Sequence, residues 1–158
     1  MTVNGAVNSA VNRAAACDLC TLLAAPPAGV VIWSDDALSV VAVDEPGYPG
    51  FTRVVWNAHV KEMTDLSPAD RDRVMRAVWA VEAAQRDVLA PHKVNVASFG
   101  NMTPHVHWHV IPRYADDAHF PNPTWGARQR DPSAAAVAVR TALLAELHAT
   151  IRERMADA

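Results

Sequence analysis

Apolar and polar positions change their period along this chain, and the changes mark out the elements. Val30 to Trp33 and Leu38 to Val43 are short apolar runs rich in β-branched residues; the turn Ser34-Asp35-Asp36 between them predicts a hairpin. Phe51 to Trp56 predicts a third strand, after Asp44 to Gly50, which holds too much Pro and Gly for regular structure. The period then shifts from two to 3.6: Val74, Val78, Val81, Ala84 and Val88 recur at intervals of three and four residues. Ser67-Pro68-Ala69-Asp70 reads as the start of that helix, with Ser67 as cap, Pro68 in the first turn and Asp70 complementing the dipole. The helix is expected to run to about Leu89, with its stripe and Trp79 in the core and Arg71, Arg73, Arg76 and Arg86 in solvent.

Val94 to Phe99 predicts a fourth strand and His105 to Ile111 a fifth, which Pro112 is expected to end. Arg113 to Asp131, with Pro121, Pro123 and Gly126, is a long irregular segment of the kind that often carries function. A last helix is expected from Asp131-Pro132, carrying Val137, Leu143, Leu144 and Leu147. The succession predicts an α+β fold, a mainly antiparallel five-stranded sheet with one long helix packed on it and a C-terminal helix.

Size and charge narrow the function classes. At 158 residues the chain suits one domain. Hydrophobic residues make up 51% of it, yet no apolar run approaches the roughly 20 residues that span a bilayer, so no membrane partner is expected. A net charge of −3 argues against a nucleic-acid polymer as partner. Residues 1–16 lack a basic segment followed by an apolar one and show no clear period; a flexible N-terminal arm and a cytoplasmic location are expected.

The fifth strand holds the chemistry. His105, His107 and His109 occupy alternate positions of His105-Val106-His107-Trp108-His109-Val110-Ile111, so they share one face while Val106, Trp108 and Val110 line the other. A single inward histidine is ordinarily a hydrogen-bonded core residue, but three in strict alternation point to proton transfer, phosphate contact or nucleophilic attack. The first and third backbones lie roughly 13 Å apart at strand rise, too far for all three to share one ion. Cys17-Asp18-Leu19-Cys20 is a lone CxxC: a redox pair, half of a metal site, or two buried thiols. A four-ligand zinc site would need two further donors, for which the histidines are the supply. Arg113 is expected either at a phosphate or in solvent, and His92, His119 and His148 in ordinary surface roles.

The seven residues from His105 to Ile111 resemble the His-φ-His-φ-His-φ-φ signature of the histidine triad superfamily of nucleotide hydrolases and transferases. The likeness covers Cys17 to about Gly126. Glu62-Met63-Thr64-Asp65-Leu66 and Gly100-Asn101 with His109-Val110-Ile111-Pro112-Arg113 are similar to bacterial members described as diadenosine tetraphosphate hydrolase-like. The resemblance implies a domain over 17–126 with a helical extension over 127–158, and a homodimer. It implies that His107 attacks the α-phosphorus of an AMP-containing nucleotide to form a covalent nucleotidyl-histidine, that His109 contacts the phosphate and helps the leaving group, and that Gly100, Asn101 and Asn95 bind phosphate oxygens. Asp44 would hold the ribose hydroxyls, Leu19, Leu22 and Val43 the base, and Trp125 would help to select substrate. Zinc-bearing members imply a structural zinc on Cys17, Cys20, His59 and His105, which removes His105 from the catalytic residues.

The chain departs from many relatives in having Gly50-Phe51 where they have a Gly-His pair, and Gly100-Asn101-Met102-Thr103 where they have a Gly-Gly-Gln-Ser-type phosphate loop. These departures bear on substrate preference, between dinucleoside polyphosphates and nucleoside phosphoramidates, rather than on the nucleophile. The alternatives are a nucleotide-binding regulatory module with little turnover, and a metal-dependent hydrolase in which two triad histidines hold a catalytic ion.

Overall fold

Alternation in five short runs becomes one antiparallel sheet in the computed structural model, which describes residues 17–157. Strands β1 (Val31–Ser34), β2 (Leu38–Ala42), β3 (Thr52–Trp56), β4 (Lys93–Ala97) and β5 (His107–Arg113) lie in the order β1-β2-β3-β5-β4. The expected flexible arm, residues 1–16, lies outside the described residues. The histidine strand is therefore central, paired with β3 on one side and β4 on the other.

Every neighbouring pair runs antiparallel, so directly opposed residues share a face. Val40, Val54, Val106 and Val110 fall on one face and are buried there against Val74, Val78, Val81 and Ala84 of α2 (Pro68–Leu89). Ser67 caps α2 by accepting from the Asp70 N–H, and Pro68 opens its first turn, as the sequence predicts. The last helical segment is broken in two, α3 (Ala134–Ala142) and α4 (Leu144–Ala156), with Ser133 rather than Asp131 as the first cap. α4 inserts Leu147, Ile151 and Met155 into the same core. Among the described residues no single helix is long and apolar enough to cross a bilayer.

The opposite face carries α1 (Asp18–Ala24), whose Leu19 is buried with Cys17, Val41 and Val55. Further along that face Tyr48, Phe51 and Ile111 form a separate apolar cluster with Val43 against it.

Three further expectations are corrected. Trp79 is 58% exposed: the buried stripe passes through Val78 and Val81, and position 79 falls outside its arc. His105 and Val106 precede the formal strand, although the Trp56 N–H still donates to the Val106 carbonyl, so the alternation extends back to them. Pro112 does not stop β5, which continues to Arg113. Continuing the alternation from that Trp56–Val106 bond, the N–H missing at position 112 would face the β3 side, where pairing has already ended at Thr52 opposite Val110. Gly50 occupies that space, with φ of +87° and a Leu89 methyl 2.5 Å from where a Cβ would stand, so any side chain there would strain the backbone and displace Leu89.

Candidate active site

Two different environments divide the histidine row. At its start, the first turn of α1, with Cys17 as its N-cap, and the segment after β3 bring Cys17, Cys20 and His59 to His105. Cys17 Sγ and Cys20 Sγ each lie 3.4 Å from His105 Nδ1, and Cys20 Sγ lies 3.3 Å from His59 Nδ1. One donor atom from each of the four residues falls within 4.8 Å of every other. A tetrahedral Cys₂His₂ zinc has sulfur–nitrogen edges of about 3.5–3.6 Å, close to the three sulfur–nitrogen distances here, so the donor set suits that ion. The far nitrogen of His105, Nε2, donates to the Trp56 carbonyl at 2.6 Å, which directs the Nδ1 lone pair at the sulfurs. Burial and the neighbouring Cys17 thiol push the Cys20 thiol up to about 11. A bound cation would reverse that by stabilising the thiolate. This is the one such grouping among the described residues, and neither His107 nor His109 belongs to it.

Beyond it the same face opens into a cavity of about 570 Å³, lined by Leu19, Arg53, Phe99, Asn101, His107 and His109 among others. His107 is buried, and its Nδ1 lies 2.6 Å from the His105 carbonyl. A carbonyl only accepts, so Nδ1 carries the proton and Nε2 keeps a free lone pair. Burial, with the Arg53 charge adding to it, holds the His107 imidazole below its ordinary pKa. His109 is pushed down to about 4, by burial first and then by the Arg53 charge, with His107 adding to it only when protonated; its Nε2 is buried without a partner.

The cavity brings together Leu19, Asn101, His107 and His109 from the residues the sequence singles out. Asp44 is exposed beyond β2, Leu22 packs beside Leu19, Val43 packs on the Tyr48 cluster, and Gly100 is exposed next to Asn101; none of them lines the cavity. Trp125 is 63% exposed, its ring 4.7 Å from that of Phe99, which in turn lies 5.7 Å from the ring of His109. A larger open cleft of about 910 Å³ lies between Glu45–Tyr48 and α3 and touches no triad histidine.

Two arginines escape the sequence reading. Arg113 is neither in solvent nor at the cavity: it is 2% exposed, its Nε and Nη2 donating to the Asp117 carboxylate and its Nη1 to Asn95 Oδ1. Burial pushes the Asp117 carboxyl up, but Arg113 and the backbone N–H groups of His119, Phe120 and Tyr114 outweigh it and hold the group at about 2. Arg53 stands opposite His109 in the β3–β5 register, and the signal that could have found it is that it is the one charged residue in the run from Phe51 to Trp56.

A family model described as HIT domain matches residues 27–116. Two curated relatives, each named AP-4-A phosphorylase, come from strains of Mycobacterium tuberculosis; they are 31% identical over 81 residues, covering 48% of this chain. The match spans only 42% of those relatives' own length. Among solved structures, a histidine triad protein from Bradyrhizobium japonicum is 24% identical and aligns over 80% of this chain and 90% of its own, with a TM-score of 0.63. A zinc-bound histidine triad family protein from Mycobacterium smegmatis is 20% identical and aligns over 92% and 99%, with a TM-score of 0.63. At such identities the solved structures show a shared fold.

Proposed function

The chain belongs to the HIT domain family, and on that premise we propose that it is a nucleotide hydrolase acting through a covalent nucleotidyl-His107 intermediate on dinucleoside polyphosphates such as diadenosine tetraphosphate, with nucleoside phosphoramidates next. One observation carries the reading: a neutral imidazole held at Nδ1 by the His105 carbonyl, its Nε2 lone pair left for a substrate in a 570 Å³ cavity. The Nε2 lone pair of His107 forms a bond to the α-phosphorus, and the bond from phosphorus to the leaving oxygen breaks with its electron pair staying on that oxygen. Water then attacks the same phosphorus, the nitrogen–phosphorus bond breaks, and the pair returns to Nε2 as AMP leaves and a proton passes to solvent. Neutral imidazole is the competent form, and burial keeps His107 in it.

Around that step the remaining roles are part of the proposal. His109 and Asn101, both on the cavity wall, bind phosphate oxygens with the backbone at Gly100. Asn95 assists from β4, Asp44 takes the ribose hydroxyls, and Leu19, Leu22 and Val43 hold the base, with Trp125 selecting substrate from the rim. Cys17, Cys20, His59 and His105 hold a structural zinc, supported by their donor geometry and by the zinc in the Mycobacterium smegmatis neighbour. That ion would tie α1 to the end of β3 and fix the residue whose carbonyl orients His107. A homodimer completes the reading; β4 lies at the sheet edge with Val96 exposed.

The test is rapid acid quench of the pure protein with labelled diadenosine tetraphosphate and with adenosine 5′-phosphoramidate, with and without inorganic phosphate. A labelled protein intermediate and AMP are expected. ADP formed only with phosphate would instead make it a phosphorylase, the activity in the name of the Mycobacterium tuberculosis relatives. Tight AMP binding with no labelled protein and no turnover would make it a nucleotide-binding module.

A further inference from the structure

Arg53 takes no part in the chemistry above, yet nothing in the fold explains its placing. It is the second residue of β3, between Thr52 and Val54, both buried, and shares a face and a cavity with His107 and His109. Its Nε is buried without a hydrogen-bond partner, as is Nε2 of His109 directly across the ladder. Among the described residues it joins none of the ion pairs: the Phe51 ring lies 5.8 Å away, and the Glu45 carboxylate attracts it only from beyond ion-pair distance. A half-buried guanidinium with an unmade hydrogen bond is unfavourable unless a ligand supplies the anion.

The strand register says which part of a ligand that is. His107 stands opposite Val55, so Arg53 is one step further from the cysteine cluster, abreast of His109. In-line attack by His107 sends the leaving group away from its Nε2, and the cluster of Cys17, Cys20, His59 and His105 closes the other direction.

We infer that Arg53 is a specificity-determining residue that binds the anionic leaving group, so that a nucleotide joined to further phosphates is turned over in preference to one joined to an amine. This rests on the nucleotidyl-transfer reading of His107. As the phosphorus–oxygen bond breaks, its electron pair settles on the oxygen of the departing phosphate, and Arg53 meets that charge without giving up a proton. A departing amine nitrogen must instead take a proton from solvent, and a fixed cation beside it gives no such help.

The experiment compares wild type, Arg53→Met and Arg53→Lys of the full chain in two assays. The first is kcat/KM on diadenosine tetraphosphate and on adenosine 5′-phosphoramidate; the second is calorimetric binding of inorganic tripolyphosphate. Arg53→Met is expected to lower kcat/KM on the tetraphosphate about 100-fold and on the phosphoramidate less than about 3-fold, and to abolish tripolyphosphate binding. Arg53→Lys keeps the charge but not the fork, and its tetraphosphate rate is expected within about 10-fold of wild type. Equal losses on both substrates, or tripolyphosphate binding unchanged in Arg53→Met, would overturn the inference. Should the Met variant not fold, Arg53→Lys decides: its tetraphosphate-to-phosphoramidate ratio drops several-fold, and an unchanged ratio overturns the inference. If wild type turns over neither substrate, the hydrolase reading fails, while the tripolyphosphate arm still decides the role of Arg53.

Discussion

The two ends of the histidine row share a strand, a face and a residue type, and differ in what other elements bring to them. At the His105 end both ring nitrogens have partners: the Trp56 carbonyl on one side and two sulfurs on the other. At the His109 end, Nε2 of His109 and Nε of Arg53 are buried with none. A site whose donors converge on one another is suited to a closed ion site. A site where polar atoms are left unpaired beside an open cavity is suited to a ligand that arrives and leaves. His107 belongs to both, tied at Nδ1 to the backbone of the closed end and open at Nε2 to the cavity.

The largest effect that tests this division comes from His107→Ala, which is expected to lower turnover at least about 10⁴-fold while leaving the melting temperature and metal content near wild type. Initial rates, thermal melts and elemental analysis on one preparation would show it. Cys17→Ser is expected to do the reverse: metal lost, and stability lowered by about 4 kcal/mol, or a melting temperature lower by 10 °C or more, with chemistry persisting for as long as the protein stays folded. Chelation that removes activity from a still-folded protein, restored by metal, would join the two ends into one catalytic ion site and break the comparison.

The same contrast explains what could be read from the chain. Alternation and helical period are local, and they specify the five strands, α2 and the common face of His105, His107 and His109. The four donors Cys17, Cys20, His59 and His105 were legible through family resemblance, since nothing local to Cys17 points to position 105, 88 residues away. Arg113 was not legible, because its partner Asp117 lies past the strand end in a segment whose sequence predicts only irregular structure. There the carboxylate gathers Arg113 and three backbone N–H groups into one buried knot that holds the chain leading to Trp125. Arg113→Met leaves that carboxylate buried and unpaired, and is expected to lower stability by about 3 kcal/mol by denaturant unfolding. A loss under about 1 kcal/mol would mean that the backbone donors alone suffice.

The smallest expected effect is electrostatic and separates charge from packing at the open end. His109 titrates near pH 4 in the folded protein, held down by burial first and by Arg53 next. Its unfolded value is about 6.5, so the unfolded chain binds more protons between the two. The stabilising contribution is therefore complete above pH 6.5 and is lost as pH falls from there through about 4. Discounted for residual solvent access at a half-buried ring, it amounts to about 1–2 kcal/mol. Arg53→Met removes the second cause and leaves the first, so the His109 midpoint should move up and the acid loss of stability should shrink. His109 ring-proton NMR titration alongside unfolding at pH 7 and pH 4.5 would measure both. A midpoint that stays put would mean that burial alone sets the imidazole and that the Arg53 charge is spent elsewhere than on the His109 end of the row.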